Sequence, residues 1–209
     1  MRFLPGLLLV LPLLSPLAHA ELFDDVFDRG ELRIALEADT PPFNFKEGDK
    51  LTGFEVELGE LLAREMDVRA SFITTDDSDL LPGVESGKYD VAINHIAVTP
   101  ELQDRFDFSA PYSYSSASLI AHKQQKPLLG SLDALKSSQF IAKAQPAEGV
   151  DLRRPVNANA TLTLAIPFQK GNPAFKSSLD KALERIKADG RLTALSEKWF
   201  EADTSKPAK

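Results

Sequence analysis

A group of polar side chains stands where an apolar strand gives out. Val91-Ala92-Ile93 reads as a buried strand, and it stops at Asn94-His95. Thr99-Pro100 then signals a helix start, and the stretch closes on Phe106-Asp107-Phe108-Ser109 and Ala110-Pro111-Tyr112. Open α/β sheets bind ligands just beyond the carboxyl ends of their strands, which makes Asn94 and His95 candidate contacts. Imidazole titrates near neutrality, so His95 is either a ligand contact or a pH-sensitive group. Glu37 and Asp39 follow an earlier strand, and Asp76, Asp77 and Asp79 open a helix. The three aspartates are first of all N-cap types. Together with Glu37, Asp39 and His95 they are also placed to form an acidic cleft for a cationic ligand or a metal ion.

Other chemistries are excluded. The chain has no cysteine, which removes disulfides, thiolate metal sites and Cys nucleophiles. Beyond the first twenty residues only His95 and His122 remain, too few for a His-rich metal site. No G-x-S-x-G, P-loop or HExxH motif is present. No catalytic residue, metal or cofactor is expected.

The elements that position these residues follow from apolar periodicity. Leu22 to Arg29 reads as a short amphipathic helix ended by Gly30. Leu32 to Leu36 is a strand, Asp39 to Pro42 a loop, and Phe43-Asn44-Phe45 alternates before a turn at Gly48-Asp49. Phe54 to Met66 is a helix, with Phe54, Leu58, Leu61 and Leu62 on one face and Glu55, Glu57, Glu60 and Arg64 on others. Val68 to Thr74 and Asp90 to Ile96 are strands, and Leu80 to Glu85 is a short helix ending at Gly87. This strand–helix alternation predicts a parallel α/β unit. Ala117 to Ala121 and Gln139 to Lys143 read as strands, Ser131 to Lys136 as a helix, and Pro146 to Asn159 as loop. Thr161 to Phe168 is a strand in which Pro167 marks an edge or a strand end. Asn172-Pro173 starts a helix through Ala188, with Phe175, Leu179, Leu183 and Ile186 on one face. Leu192 to Phe200 is the last helix.

The chain has 24 Lys and Arg against 31 Asp and Glu, a net charge of −7. It has no basic stripe for phosphates, so nucleic acid is not expected as a partner. Arg2, the apolar run Leu7 to Leu14 and Ala18-His19-Ala20 read as a cleavable signal peptide over residues 1–20. No later stretch is long and apolar enough to insert in a membrane. With no cysteine for a lipid anchor, the expected location is the periplasm.

Six landmarks in order resemble the periplasmic solute-binding proteins of polar amino-acid ABC transporters, the glutamine- and cystine-binding family. They are Pro41 to Phe45; Leu51-Thr52-Gly53-Phe54-Glu55-Val56-Glu57; Gly87-Lys88-Tyr89-Asp90-Val91; Thr99-Pro100-Glu101; Asp107 to Tyr112; and Asp189-Gly190-Arg191 through Lys198-Trp199-Phe200. The resemblance implies a type II periplasmic-binding-protein-like α/β fold of two lobes around a ligand cleft. The first lobe would be residues 21–113, with the C-terminal helices of 171–209 packing back on it. The second, residues 114–170, would be truncated, because between Gln145 and Thr161 the family carries about a helix–strand–helix more. A hinge would close the lobes for a permease to read.

The resemblance also implies a ligand face comprising Glu37, Thr40, Phe43, Asp77, Asn94, His95, Ala97, Thr99 and Leu102. Several of these depart from the family. Its Thr-x-[Thr/Ser]-x-x-Arg pattern, whose arginine grips an amino-acid carboxylate, reads Ala97 and Leu102 here. Thr40 stands for an aromatic, a second aromatic falls near Asp77, and His95 stands for a small residue or glycine. Arg105, one helical turn past Leu102, reads first as a surface arginine and second as a replacement. The expected protein is thus a solute-binding protein with a non-standard small ligand, an amino acid or a cation. Its partner is an ABC permease or another periplasmic protein. The alternatives are a degenerate scaffold serving as a periplasmic accessory protein and, on the same fold, a dehydratase with Glu37 as general acid.

Overall fold

The computed structural model describes residues 21–116 and 161–207. The expected signal peptide, the elements expected between Ala117 and Asn159, and His122 lie outside the described residues.

The organising element is a five-stranded sheet in the order β5-β1-β6-β10-β7. Its strands are β1 (Glu31–Leu36), β5 (Arg69–Thr74), β6 (Val91–Ala92), β7 (Phe106–Phe108) and β10 (Pro167–Gln169). β1 runs parallel to β5 and β6, as a strand–helix alternation requires. β10 is antiparallel to both β6 and β7. The sheet is therefore mixed where the sequence predicts a parallel one. Pro167 fits because it begins its strand, where a missing N–H costs no ladder bond. The expected strand Thr161 to Phe168 is in fact two, β9 (Thr161–Leu164) and β10. Residues 167–169, placed by the sequence with the second lobe, are thus a strand of this sheet.

Alternation along β1 sends Leu32 and Ile34 into one core and Ala35 into another. The larger core lies under α1 (Leu22–Arg29), α2 (Phe54–Glu65), α5 (Pro173–Ala188) and α6 (Arg191–Phe200). Phe175, Leu179, Leu183 and Ile186 of α5 are all fully buried there. The smaller core lies against α3 (Asp77–Glu85) and α4 (Pro100–Arg105), with Leu80 and Val84 among its residues and the partly buried Leu102 packed against it.

A three-stranded arm, β2 (Asp39–Thr40), β3 (Asn44–Glu47) and β4 (Lys50–Thr52), projects after β1. Thr40, expected in a loop, pairs with Asn44 in this arm. The arm is bound to the start of α2: the amides of Phe54 and Glu55 donate to the carbonyls of Pro42 and Phe43 at 3.0 and 2.8 Å. Those are first-turn donors with no partner inside the helix. Beyond Tyr112 the chain leaves as β8 (Ser113–Ser116), paired antiparallel with β9. This ribbon is tied to the C-terminal segment, because the Tyr114 amide donates to the Thr204 carbonyl at 2.8 Å.

Candidate functional site

β1 and β6 end side by side, and the polar residues after them interlock. Regular pairing of β6 stops at Ala92, although the Ile93 amide still donates to Ala35 O at 3.0 Å. At His95 the backbone turns into the left-handed region, φ 43°. That conformation favours glycine and short polar residues, which accounts for the small residue that family resemblance places there.

Asn94, nearly fully buried, is the junction. Its Nδ2 donates to Glu37 Oε2 at 2.8 Å, and its Oδ1 accepts from the Glu37 amide at 3.1 Å and from Asn44 Nδ2 at 3.0 Å. Asn44 Nδ2 also donates to Glu55 Oε2 at 2.6 Å, and Asn44 Oδ1 accepts from the Ala38 amide at 2.8 Å. Glu55 is fully buried. Its Oε1 accepts from the Tyr112 hydroxyl at 2.6 Å and from the His95 amide. A buried carboxylate is tolerable only when donors and counter-charge surround it. The donors are Asn44, Tyr112 and the His95 amide, and the His95 ring beside it supplies counter-charge only when protonated.

His95 Nδ1 lies 3.8 Å from Glu55 Oε2, a charge contact longer than a hydrogen bond. This nitrogen is buried and has no hydrogen-bond partner, whereas the His95 side chain is 34% exposed. Its ring packs on Phe43 at 5.2 Å between centroids, and Phe43 packs on Phe200 at 5.2 Å. Burial, the largest single influence, pulls the imidazole pKa down. Adjacent Glu55, with the charges of Glu37 and Asp77, outweighs it, so the pKa is raised above the ordinary value. Burial, reinforced by Glu55, holds the Tyr112 hydroxyl well above its usual pKa, so it remains a donor.

The sign of the linkage follows. A histidine with a raised folded pKa contributes stability that is present below its unfolded pKa, near 6.5, and lost as pH rises through the folded one. Thermal unfolding of the protein is expected at a lower temperature at pH 8.5 than at pH 6. In His95→Asn, which suits the left-handed backbone, that difference should shrink. An unchanged difference would mean that His95 is not the group responsible.

The structure brings together Glu37, Phe43, Asn94 and His95, with Asp77 close enough for its charge to act on His95. The remaining candidates serve the frame. Thr40 Oγ1 donates to Asp39 at 3.0 Å. Ala97 forms a bridge with Leu164. Thr99 Oγ1 accepts from the Leu102 amide at 3.3 Å, capping α4. Leu102 packs against the smaller core. Asp76 is the N-cap of α3 by backbone position, but its side chain makes no capping bond. Arg105 is exposed and paired with Glu85 at 2.6 Å, so it does not stand in for the missing arginine. Among the described residues no group of three or more His, Cys, Asp and Glu is arranged to hold a metal ion.

Sequence reasoning missed Asn44, Glu55 and Tyr112. Glu55, expected on a face other than the apolar one, shares a helical face with Leu58, Gly59 and Leu62, all buried. A carboxylate on such a face signals a buried polar contact.

A mixed α/β sheet with a polar network at its strand ends, beside a two-strand ribbon, is the architecture of a type II periplasmic-binding-protein lobe. Residues 32–202 match the model of the bacterial extracellular solute-binding proteins, family 3. The chain belongs to that family and is a solute-binding protein. It is 30% identical to the L-cystine-binding protein TcyJ of Escherichia coli (strain K12), over 90% of each chain. That alignment spans 238 positions, more than the 209 residues of this chain, so the relative carries residues that this chain lacks. The crystal structure of an ancestral amino acid-binding protein, a precursor of cyclohexadienyl dehydratase, superposes with a TM-score of 0.71 at 26% identity, covering 87% of this chain and all of that one. The unliganded, open L-cystine solute receptor of Neisseria gonorrhoeae superposes with a TM-score of 0.67 at 24% identity, covering 88% and 99%. No helix among the described residues is long and apolar enough to cross a membrane.

Proposed function

We propose that this chain is the periplasmic solute-binding component of an ABC uptake system and that its ligand is a cationic small molecule. The single observation behind this reading is the fate of the arginine position. Leu102 stands there and is turned into an apolar cluster, and nearby Arg105 is spent on Glu85. The face instead offers carboxylates, Glu37 and Asp77, beside one titratable base, His95. A carboxylate ligand would meet no guanidinium on it. A cation would meet two acids, with Phe43 as an aromatic neighbour able to take a cation on its ring face.

The name of the relative TcyJ, an L-cystine-binding protein, supports an amino-acid-sized ligand, and membership of an extracellular solute-binding family supports a transport role. The length difference from TcyJ supports a reduced second lobe, the segment between β8 and β9 having the fewest family landmarks. The same two features favour a second reading, a scaffold that has given up small ligands for a periplasmic protein partner.

Titration calorimetry of the mature protein with spermidine, L-arginine and L-lysine, against L-cystine and L-glutamine, separates these. Saturable heat from a cation and none from L-cystine or L-glutamine is expected. Binding of L-cystine or L-glutamine, with silence from every cation, would overturn the proposal. Silence from all five supports the protein-partner reading.

A further inference from the structure

We propose that His95 determines specificity on this face: it offers Nε2 as a hydrogen-bond acceptor to an N–H donor of the cationic ligand, and a proton competes with the ligand for the same lone pair. This rests on the cationic-ligand reading above and names the residue and regulation that go with it.

The argument starts from the two nitrogens of one ring. Nδ1 is buried, lacks a hydrogen-bond partner and lies 3.8 Å from Glu55 Oε2. That carboxylate is fully buried. Its other oxygen already takes the Tyr112 hydroxyl and the His95 amide, and Oε2 takes Asn44 Nδ2. An acceptor-only group opposite Nδ1 favours a proton on Nδ1 in every charge state of the ring. A neutral imidazole carries one N–H, so with Nδ1 protonated the lone pair is on Nε2. The side chain is 34% exposed although Nδ1 is covered, which leaves Nε2 as the nitrogen that meets solvent or ligand. Phe43 against the ring and the left-handed backbone at φ 43° hold that orientation.

The charged and titratable groups facing the ring give the sign. They are Glu37 after β1, Glu55 on α2, Asp77 on α3 and Tyr112 before β8, and Phe43 from the arm adds no charge. Tyr112 stays a neutral donor, so the surroundings are anionic and stabilise imidazolium. With His95 neutral, Glu37, Asp77 and Nε2 are all acceptors, which suits an ammonium or guanidinium that can only donate. With His95 protonated, Nε2 becomes a donor with a positive charge and opposes the same ligand. Ligand binding therefore expels a proton, and acidification releases ligand.

Two measurements on the mature protein test this. Long-range nitrogen–proton correlation spectra at pH 8.5 without ligand should show His95 as the Nδ1–H tautomer with unprotonated Nε2. Calorimetry with spermidine and with L-arginine should show affinity rising with pH, by up to about tenfold per unit below the His95 pKa for exchange of one proton. In His95→Asn that rise should vanish between pH 5.5 and 8.5. The Nε2–H tautomer, or binding whose pH dependence survives in His95→Asn, overturns the role of His95 and leaves the cation reading standing. Absence of heat with both probes overturns the cation reading itself, and the inference with it.

Discussion

Gly53→Ala is expected to cost at least about 3 kcal/mol of folding stability, a large share of the roughly 5–15 kcal/mol that holds a domain together. Two effects add. Gly53 has φ 123° and ψ 170°, a region essentially closed to residues with a side chain, at about 1–3 kcal/mol. A Cβ built there would also stand 2.3 Å from the carbonyl oxygen of Phe43 and 2.7 Å from its carbon. Both are backbone atoms and cannot rotate away. They belong to the loop whose carbonyls take the first amides of α2, so relieving the clash shifts Phe43, whose ring packs on His95. Gly30→Ala is the control: φ is 64° and nothing lies within 4 Å of its Cβ, so about 1 kcal/mol is expected from the left-handed backbone alone. Urea unfolding of the two variants measures the difference. A Gly53→Ala loss below about 1 kcal/mol would sink the account.

The same loop shows how far the sequence could be read. Phe43-Asn44-Phe45 alternates, and alternation on a half-buried strand puts the apolar residues inward. The structure reverses this: Asn44 is fully buried, whereas Phe43 and Phe45 are partly exposed. The rings pack on the end of α6, Phe45 on Trp199 at 5.9 Å and Phe43 on Phe200 at 5.2 Å. That contact joins residues far apart in sequence, beyond the reach of any local pattern. Helices were legible because their information is local. The expected apolar face of α5 is the buried one, and Thr99-Pro100 marks the start of α4, with Thr99 as its side-chain cap. Strand order was not, since the insertion of β10 between β6 and β7 is set by tertiary pairing. At the site, Asn94 and His95 were legible as the polar end of an apolar strand. Glu55 was placed off the apolar face, although its spacing to Leu58, Gly59 and Leu62 carried a signal of burial; its partners Asn44 and Tyr112 lie outside its helix and could not be read locally.

The largest electrostatic effect is expected at the opposite end of β6. The Asp90 carboxylate is fully buried. It accepts from Arg29 Nη2 at 2.5 Å, from Arg33 Nη2 and Nε at 2.7 and 3.2 Å, and from the Arg33 amide at 2.7 Å. The Arg33 guanidinium is held above its ordinary pKa by this partner. Arg33 also reaches the Gly87 carbonyl at 2.9 Å, so one aspartate ties α1, β1 and the turn before β6 together. Removing one partner of a buried pair costs about 3–5 kcal/mol, because the other is left uncompensated. Here both arginines keep contact with solvent, with side chains 32% and 27% exposed, which lowers the expectation for Asp90→Ala to about 2–3 kcal/mol. The Arg33 amide, left without its acceptor, adds to that loss. Asp90→Asn retains one oxygen for it and should lose less. If both variants unfold in urea at the wild-type midpoint, the pair contributes nothing. If Asp90→Ala unfolds early, the few residues from Asp90 to Asn94 make a second outcome informative. Ligand affinity measured well below the unfolding transition should change little, because Asn94 is held from the other side by Glu37 and Asn44. A loss of affinity there would mean that strand β6 transmits strain along its length and that the site depends on its far anchor as well as on its own hydrogen bonds.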